Sequence, residues 1–175
     1  GAAGTQTSGM IAGGLVPPST YSNTVELYNG SSWTETTELN TGRSFIAGAG
    51  ATNTAVIMVG GESPVTGATE IWNGSSWTET TDLNTARGEL AGVGESYTAA
   101  IAIAGYTTTA VANVETWDGS SWTEVSEINT TRYYSGGSGG SPSSLVYGGI
   151  TAPGPLSALT ESWDGSSWTE VSDLA

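Results

Sequence analysis

The residues able to do chemistry form a short list. The 175-residue chain has no histidine, cysteine or lysine; it has 17 carboxylates, three arginines (Arg43, Arg87 and Arg132), seven tryptophans and seven tyrosines. A nucleophilic triad lacks its base. Thiolate and imidazole metal sites lack their ligands, so no metal or cofactor is expected. Hard cations held by oxygen ligands remain open by residue type. So does a carboxylate pair of the kind that hydrolyses glycosides. Most of the acids, however, recur at fixed places: Glu35, Glu79, Glu124 and Glu170, then Glu38, Asp82, Glu127 and Asp173. Repeated acids read as a solvated face. Glu62, Glu89 and Glu95 lie off that pattern and are the acids with room for a catalytic role.

The arginines carry a second signal. Glu26 and Arg43, Glu70 and Arg87, and Glu115 and Arg132 each stand 17 residues apart. A planar guanidinium takes a carboxylate through parallel hydrogen bonds. The constant interval is read as three structural Glu–Arg pairs within the units, each tying a strand to a closing turn. Glu161 is then expected to lack its arginine, which is costly for a buried carboxylate.

The net charge is −14. Nucleic acid and anionic membrane surfaces repel such a chain, and no basic patch offsets that. No stretch is apolar and long enough to span a membrane as a helix.

The elements that position these residues follow from a repeat. Asn29–Glu35 reads Asn-Gly-Ser-Ser-Trp-Thr-Glu, and the phrase returns at 73, 118 and 164, with Asp in place of Asn in the last two. The spacings of 44, 45 and 46 residues mark stacked supersecondary units. Asn-Gly and Asp-Gly suit a two-residue hairpin turn with positive φ. The first two copies, Asn29-Gly30-Ser31 and Asn73-Gly74-Ser75, are also formal glycosylation sequons that the turn already explains; Asn129-Thr130-Thr131 is a third. Aromatic pairs flank each turn: Tyr28 and Trp33, Trp72 and Trp77, Trp117 and Trp122, Trp163 and Trp168. Each unit holds four short strands, the first rich in Gly and Ala as in Ala47-Gly48-Ala49-Gly50. The expected fold is all-β, a β-propeller of four blades that are four-stranded antiparallel meanders, as one ring or part of a larger one. The chain is one repeat domain, 1–175, with blades near 1–43, 44–87, 88–132 and 133–175.

The Gly pairs (Gly13-Gly14, Gly60-Gly61, Gly148-Gly149), the Glu of the third strand, two spaced aromatics and an Arg after the fourth strand resemble the kelch repeat. The resemblance covers essentially the whole chain. It departs at Ala104-Gly105, and the aromatics stand five apart, slightly closer than is usual for kelch. The Asn-Gly-Ser-Ser-Trp-Thr-Glu wording is also similar to arrays in tail-fibre and appendage proteins of marine bacteriophages.

A specific ligand should be met where the units differ. The loops 15–24, 62–68, 106–113 and 150–158 differ most, and Tyr21, Glu62, Tyr106 and Pro155 are the candidate contacts on them. The expected function is a non-enzymatic structural and binding module of a virion or extracellular appendage, tail-fibre or adhesin-like, that contacts a receptor, glycan or partner protein and can assemble with its own copies. The alternatives are a carbohydrate-active enzyme on a propeller scaffold and a kelch-type adaptor for protein partners. Three units close on Leu or Ile, Asn, Thr, any residue and Arg, and the fourth stops at Leu174-Ala175. Gly1 and Ala175 are therefore expected to be cut points.

Overall fold

A computed structural model describes residues 1–62, 64–151 and 154–175; Pro153, placed in the fourth variable loop by the sequence, lies outside the described residues. The described chain has no helix. Blade 1 is β1 (Ala2–Thr5), β2 (Ser8–Val16), β3 (Thr20–Tyr28) and β4 (Trp33–Glu35). Blade 2 is β5 (Ala47–Thr52), β6 (Ala55–Val59), β7 (Thr69–Trp72) and β8 (Trp77–Thr80). Blade 3 is β9 (Ala91–Ser96), β10 (Ala99–Ile103), β11 (Val114–Trp117) and β12 (Trp122–Val125). A short β13 (Arg132–Tyr133) leads into blade 4: β14 (Gly136–Gly140), β15 (Ser143–Tyr147), β17 (Thr160–Trp163) and β18 (Trp168–Val171), with β16 (Ile150–Thr151) pairing back to β13. Within each blade the strands pair antiparallel with their sequence neighbours. This is a propeller-like fold of four-stranded blades.

The inner strands stack in order, β1 on β5, β5 on β9 and β9 on β14, whereas β14 and β1 make no comparable contact. All four line one open pocket, through Ala3, Gly4, Gly48, Gly92 and Gly137 among others. Small residues are required there: a Cβ on Gly48 would clash with the Ala2 carbonyl oxygen.

Three apolar cores lie between successive blades. Met10, Ala12 and Val25 meet Val56, Met58, Trp72 and Trp77; Ile57, Val59 and Leu83 meet Ala100, Ala102, Trp117 and Trp122; Ile101, Ile103 and Ile128 meet Val146, Trp163 and Trp168. Each blade thus has a leading face toward the next blade and a trailing face, bearing the aromatic pair, toward the one before. Strand alternation makes the two faces from one sequence.

Several expectations need correction. The aromatic pairs do form, at centroid distances of 5.1–5.3 Å. Trp77, Trp122 and Trp168 are wedged between blades at 5–8% exposure, but Trp33 is 47% exposed, because no blade packs on the trailing face of blade 1. The turn is a four-residue connection rather than a two-residue one. Gly30, Gly74, Gly119 and Gly165 take the positive φ, and the Asn or Asp side chain acts by accepting the two serine N–H groups, as Asn73 does from Ser75 and Ser76 at 3.0 Å. The stretch 15–24 is largely strand: Leu15 pairs with Tyr21 and Val16 with Thr20 around the Pro17-Pro18 turn. β-prone residues on both sides of that turn extend the hairpin.

Candidate functional site

The Glu–Arg locks exist, but in a different pairing. Arg43 binds Glu70 at 3.0 Å, Arg87 binds Glu115 at 2.5 Å, and Arg132 binds Glu161. The guanidinium of one blade therefore crosses to the carboxylate of the next. The expected pairs Glu26–Arg43, Glu70–Arg87 and Glu115–Arg132 do not form. Glu161 has its arginine, and Glu26 is the acid without one. Each bound carboxylate also collects donors from the closing turn. Glu115 accepts from the Asn84 backbone N–H at 2.7 Å, from Asn84 Nδ2 at 2.9 Å and from the Thr85 N–H at 3.2 Å. The arginines cap backbone carbonyls as well, as Arg87 does at Ala104 (2.9 Å) and Ala102 (3.2 Å). Burial lowers the pKa of Arg87, and the hydrogen bond it donates to Glu115 works against that shift. These are buried structural joints, satisfied except at Arg43 Nε, which has no hydrogen-bond partner among the described residues.

The β2–β3 type loops and the closing turns share one end of the molecule. Leu39 N–H donates to Asn23, Leu83 to Gly67, Ile128 to Ala112 and Leu174 to Ala158. Around the axis at this end stand Phe45, Glu89 and Tyr134, each two residues past an Arg of the closing turns. All three hold left-handed backbone, with φ of 54°, 56° and 54°. Non-glycine residues pay strain there of about 1–2 kcal/mol each. The backbone secures them in a staircase: Glu89 N–H donates to the Phe45 carbonyl and Tyr134 N–H to the Glu89 carbonyl, both at 2.9 Å.

Their side chains meet over the axis. The rings of Phe45 and Tyr134 meet at a centroid distance of 5.6 Å, Tyr134 and Tyr133 at 5.2 Å, and Tyr133 and Tyr106 at 5.2 Å, each pair tilted by 51–58°. Phe45 and Tyr134 are exposed. Phe45, Glu89, Leu90 and Tyr134 line a cavity of about 280 Å³. Glu62 enters through its backbone bridge to Ser44, and Tyr106 through its bridge to Gly88. Burial, then the Glu89 charge, raises the pKa of the Glu62 carboxyl. Burial, then the Glu89 carboxylate, pushes the Tyr134 phenol above its ordinary value. The arrangement offers a cluster of mutually tilted aromatic rings edged by two acids.

Of the four loop residues singled out in the sequence, this surface gathers Glu62 and Tyr106. Tyr21 lies exposed on the extended hairpin of blade 1, and Pro155 lies exposed on the last loop, where its carbonyl accepts the Thr151 N–H. Neither contacts the aromatic set among the described residues. Glu95 sits elsewhere, beside Gly140 and Pro142. Sequence reasoning missed Phe45, Tyr133 and Tyr134. The available signal was their shared offset from the arginines, since equivalent positions near the axis of a propeller converge.

No family model and no curated protein sequence matches the chain. Among solved structures it is similar to YjhT, with a TM-score of 0.71 and 13% identity, over 87% of this chain and 53% of that one. That likeness is one of fold, the propeller arrangement of blades. The chain spans about half the length of the structure it matches.

Proposed function

We propose that the chain is a non-enzymatic structural and binding module of the kelch-repeat type, built into a virion or extracellular appendage. On this reading it contacts a glycan or protein receptor through the axial aromatic surface. The observation that carries it is the chain Phe45–Tyr134–Tyr133–Tyr106, two members exposed, held on strained backbone at one end of the axis. Flat aromatic rings stack on sugar faces and anchor protein contacts at low conformational cost. Strain at equivalent non-glycine positions is a mark of functional sites.

The test is binding of the whole chain to a panel of immobilised glycans and surface proteins, repeated with Tyr134→Ala and Phe45→Ala. A bound ligand that both variants lose supports the reading. A ligand that both variants keep overturns it.

A carbohydrate-active enzyme is the second reading, favoured by one feature: Glu62, with its raised pKa, lies within reach of the Glu89 charge. Two neighbouring carboxyls are the groups that acid–base chemistry on a glycoside uses. Glycan turnover that disappears in Glu62→Gln or Glu89→Gln would establish that reading in place of the first.

A further inference from the structure

Three joints between blades are built alike, and the two outer faces of the array are the unmatched halves of a fourth. On the trailing face of blade 1, Ile11 and Trp33 are exposed, where their counterparts in blade 2, Met58 and Trp77, are buried. On the leading face of blade 4, Leu145 and Leu174 are exposed, where their counterparts Ile57 and Leu83 are buried.

We propose that a second copy of this chain docks on the first, head to tail, with its blade 4 against the trailing face of blade 1. The internal joints define what each side must bring. In two of the three joints the tryptophan Nε1 donates to the carbonyl four residues past the preceding blade's turn tryptophan, Trp77 to Thr37 at 3.0 Å and Trp168 to Ser126 at 3.1 Å, whereas Trp122 Nε1 donates to Thr69 Oγ1 at 3.0 Å. The equivalent of Thr37 and Ser126 in blade 4 is Ser172, and Trp33 Nε1 has no acceptor among the described residues. In return, the hydroxyls of Thr37, Thr81 and Ser126 donate to the carbonyls of Ser75, Ser120 and Ser166 at 3.3, 3.0 and 2.9 Å. Ser172 of the second copy would do the same to Ser31. Leu174 takes the place that Leu39, Leu83 and Ile128 hold in the three cores, and Leu145 covers Ile11.

The donors to Glu26 are missing: Ala175 stands where Asn40, Asn84 and Asn129 offer their side-chain amides to the other repeat glutamates. All three arginines are already engaged, so the second copy brings no guanidinium to Glu26. Glu26 is half-buried at a cavity of about 300 Å³ with Ile11, Ser22 and Thr24. The joint therefore forms with an unpaired acid at its rim, and removing that charge should tighten it. A contact that uses different patches on the two partners is heterologous, which gives it a distinctive signature in a mixing experiment.

The test is sedimentation of the whole chain over a concentration series, with Trp33→Asp and Leu174→Asp alone and mixed. The native chain should exceed monomer mass, each variant alone should lose at least about thirtyfold in association constant, and Glu26→Gln should gain. The equimolar mixture should regain one joint and stop at two chains, because each variant retains the face the other lacks. A native chain that stays monomeric at every concentration overturns the proposal, whether or not its two outer faces close on each other. Association of Leu174→Asp undiminished beside a monomeric Trp33→Asp also overturns it, since blade 1 would then be meeting itself. Ile11→Asp and Leu145→Asp repeat the pair if either first variant fails to fold by circular dichroism.

Discussion

Glu115→Gln and Glu26→Gln make the same substitution at the same place in two repeats, and the structure assigns them opposite outcomes. Glu115 is fully buried and accepts four hydrogen bonds, from Arg87, from the Asn84 N–H and side chain, and from the Thr85 N–H. An amide of the same size keeps the volume but removes the charge, and one of its two polar atoms becomes a donor facing donors. The Arg87 guanidinium is then buried without a counter-ion. Breaking a buried pair from one side costs about 3–5 kcal/mol. In a chain of this length each kcal/mol moves Tm by about 2–4 °C, so the expected drop is about 6–20 °C. Glu26 is half-buried and has no hydrogen-bonded partner among the described residues. Its substitution should stay within about 0.5 kcal/mol, as at ordinary surface positions. Thermal unfolding of both variants in dilute solution, followed by circular dichroism, reads the difference. Equal losses would refute the cross-blade pairing and restore the within-unit one, in which Glu26 holds Arg43 as Glu115 would hold Arg132.

Three further outcomes follow from the same geometry. Trp168→Ala should lose about 3–5 kcal/mol because it empties a buried site between blades 3 and 4, whereas Trp33→Ala in dilute solution should lose less than about 1 kcal/mol; urea unfolding compares them. Asp118 and Asp164 are lowered to about 2, first by the N–H groups of Ser121 and Ser167. Their turns therefore contribute fully above pH 3.8 and fade as pH falls toward 2. Asp118→Asn with Asp164→Asn keeps the same acceptor, as Asn29 and Asn73 do, and should shrink the loss of Tm between those two pH values. Ala104 occupies left-handed backbone at φ 57° where Gly60 stands in blade 2 at φ 68°. Ala104→Gly should therefore raise stability by about 1 kcal/mol in chemical denaturation, and a loss would show that the Ala104 methyl contributes more to packing than the strain costs.

The four units, their strand order and the buried role of the glutamates and arginines were legible in the sequence. Each depends on local signals: alternation along a strand, a glycine where φ must be positive, an Asn or Asp opening the turn. Pairing partners were not legible, and the constant 17-residue interval pointed to the wrong ones. That interval is constant because only a hairpin and its closing turn separate the two residues, so it measures a rigid segment and not a contact. The true partners stand 27, 28 and 29 residues apart, from 43 to 70, 87 to 115 and 132 to 161. Their separation includes the variable loop of the following blade and carries no fixed spacing to notice.

The axial surface shows the same division. The sequence pointed at the loops because they vary, and so found Glu62 and Tyr106 together with Tyr21 and Pro155, which lie apart from the aromatic set. Phe45, Glu89 and Tyr134 are 44 and 45 residues apart. They become neighbours because stacking blades about an axis brings one repeat position of every unit to the same place. The sequence alone determined the blade, since a blade is made by contacts within one unit. Which carboxylate meets which guanidinium, which tryptophan is left in water and which side chains share the axis depend on the rotation from one blade to the next. That rotation is set by packing across the joints, and only the tertiary structure decides it.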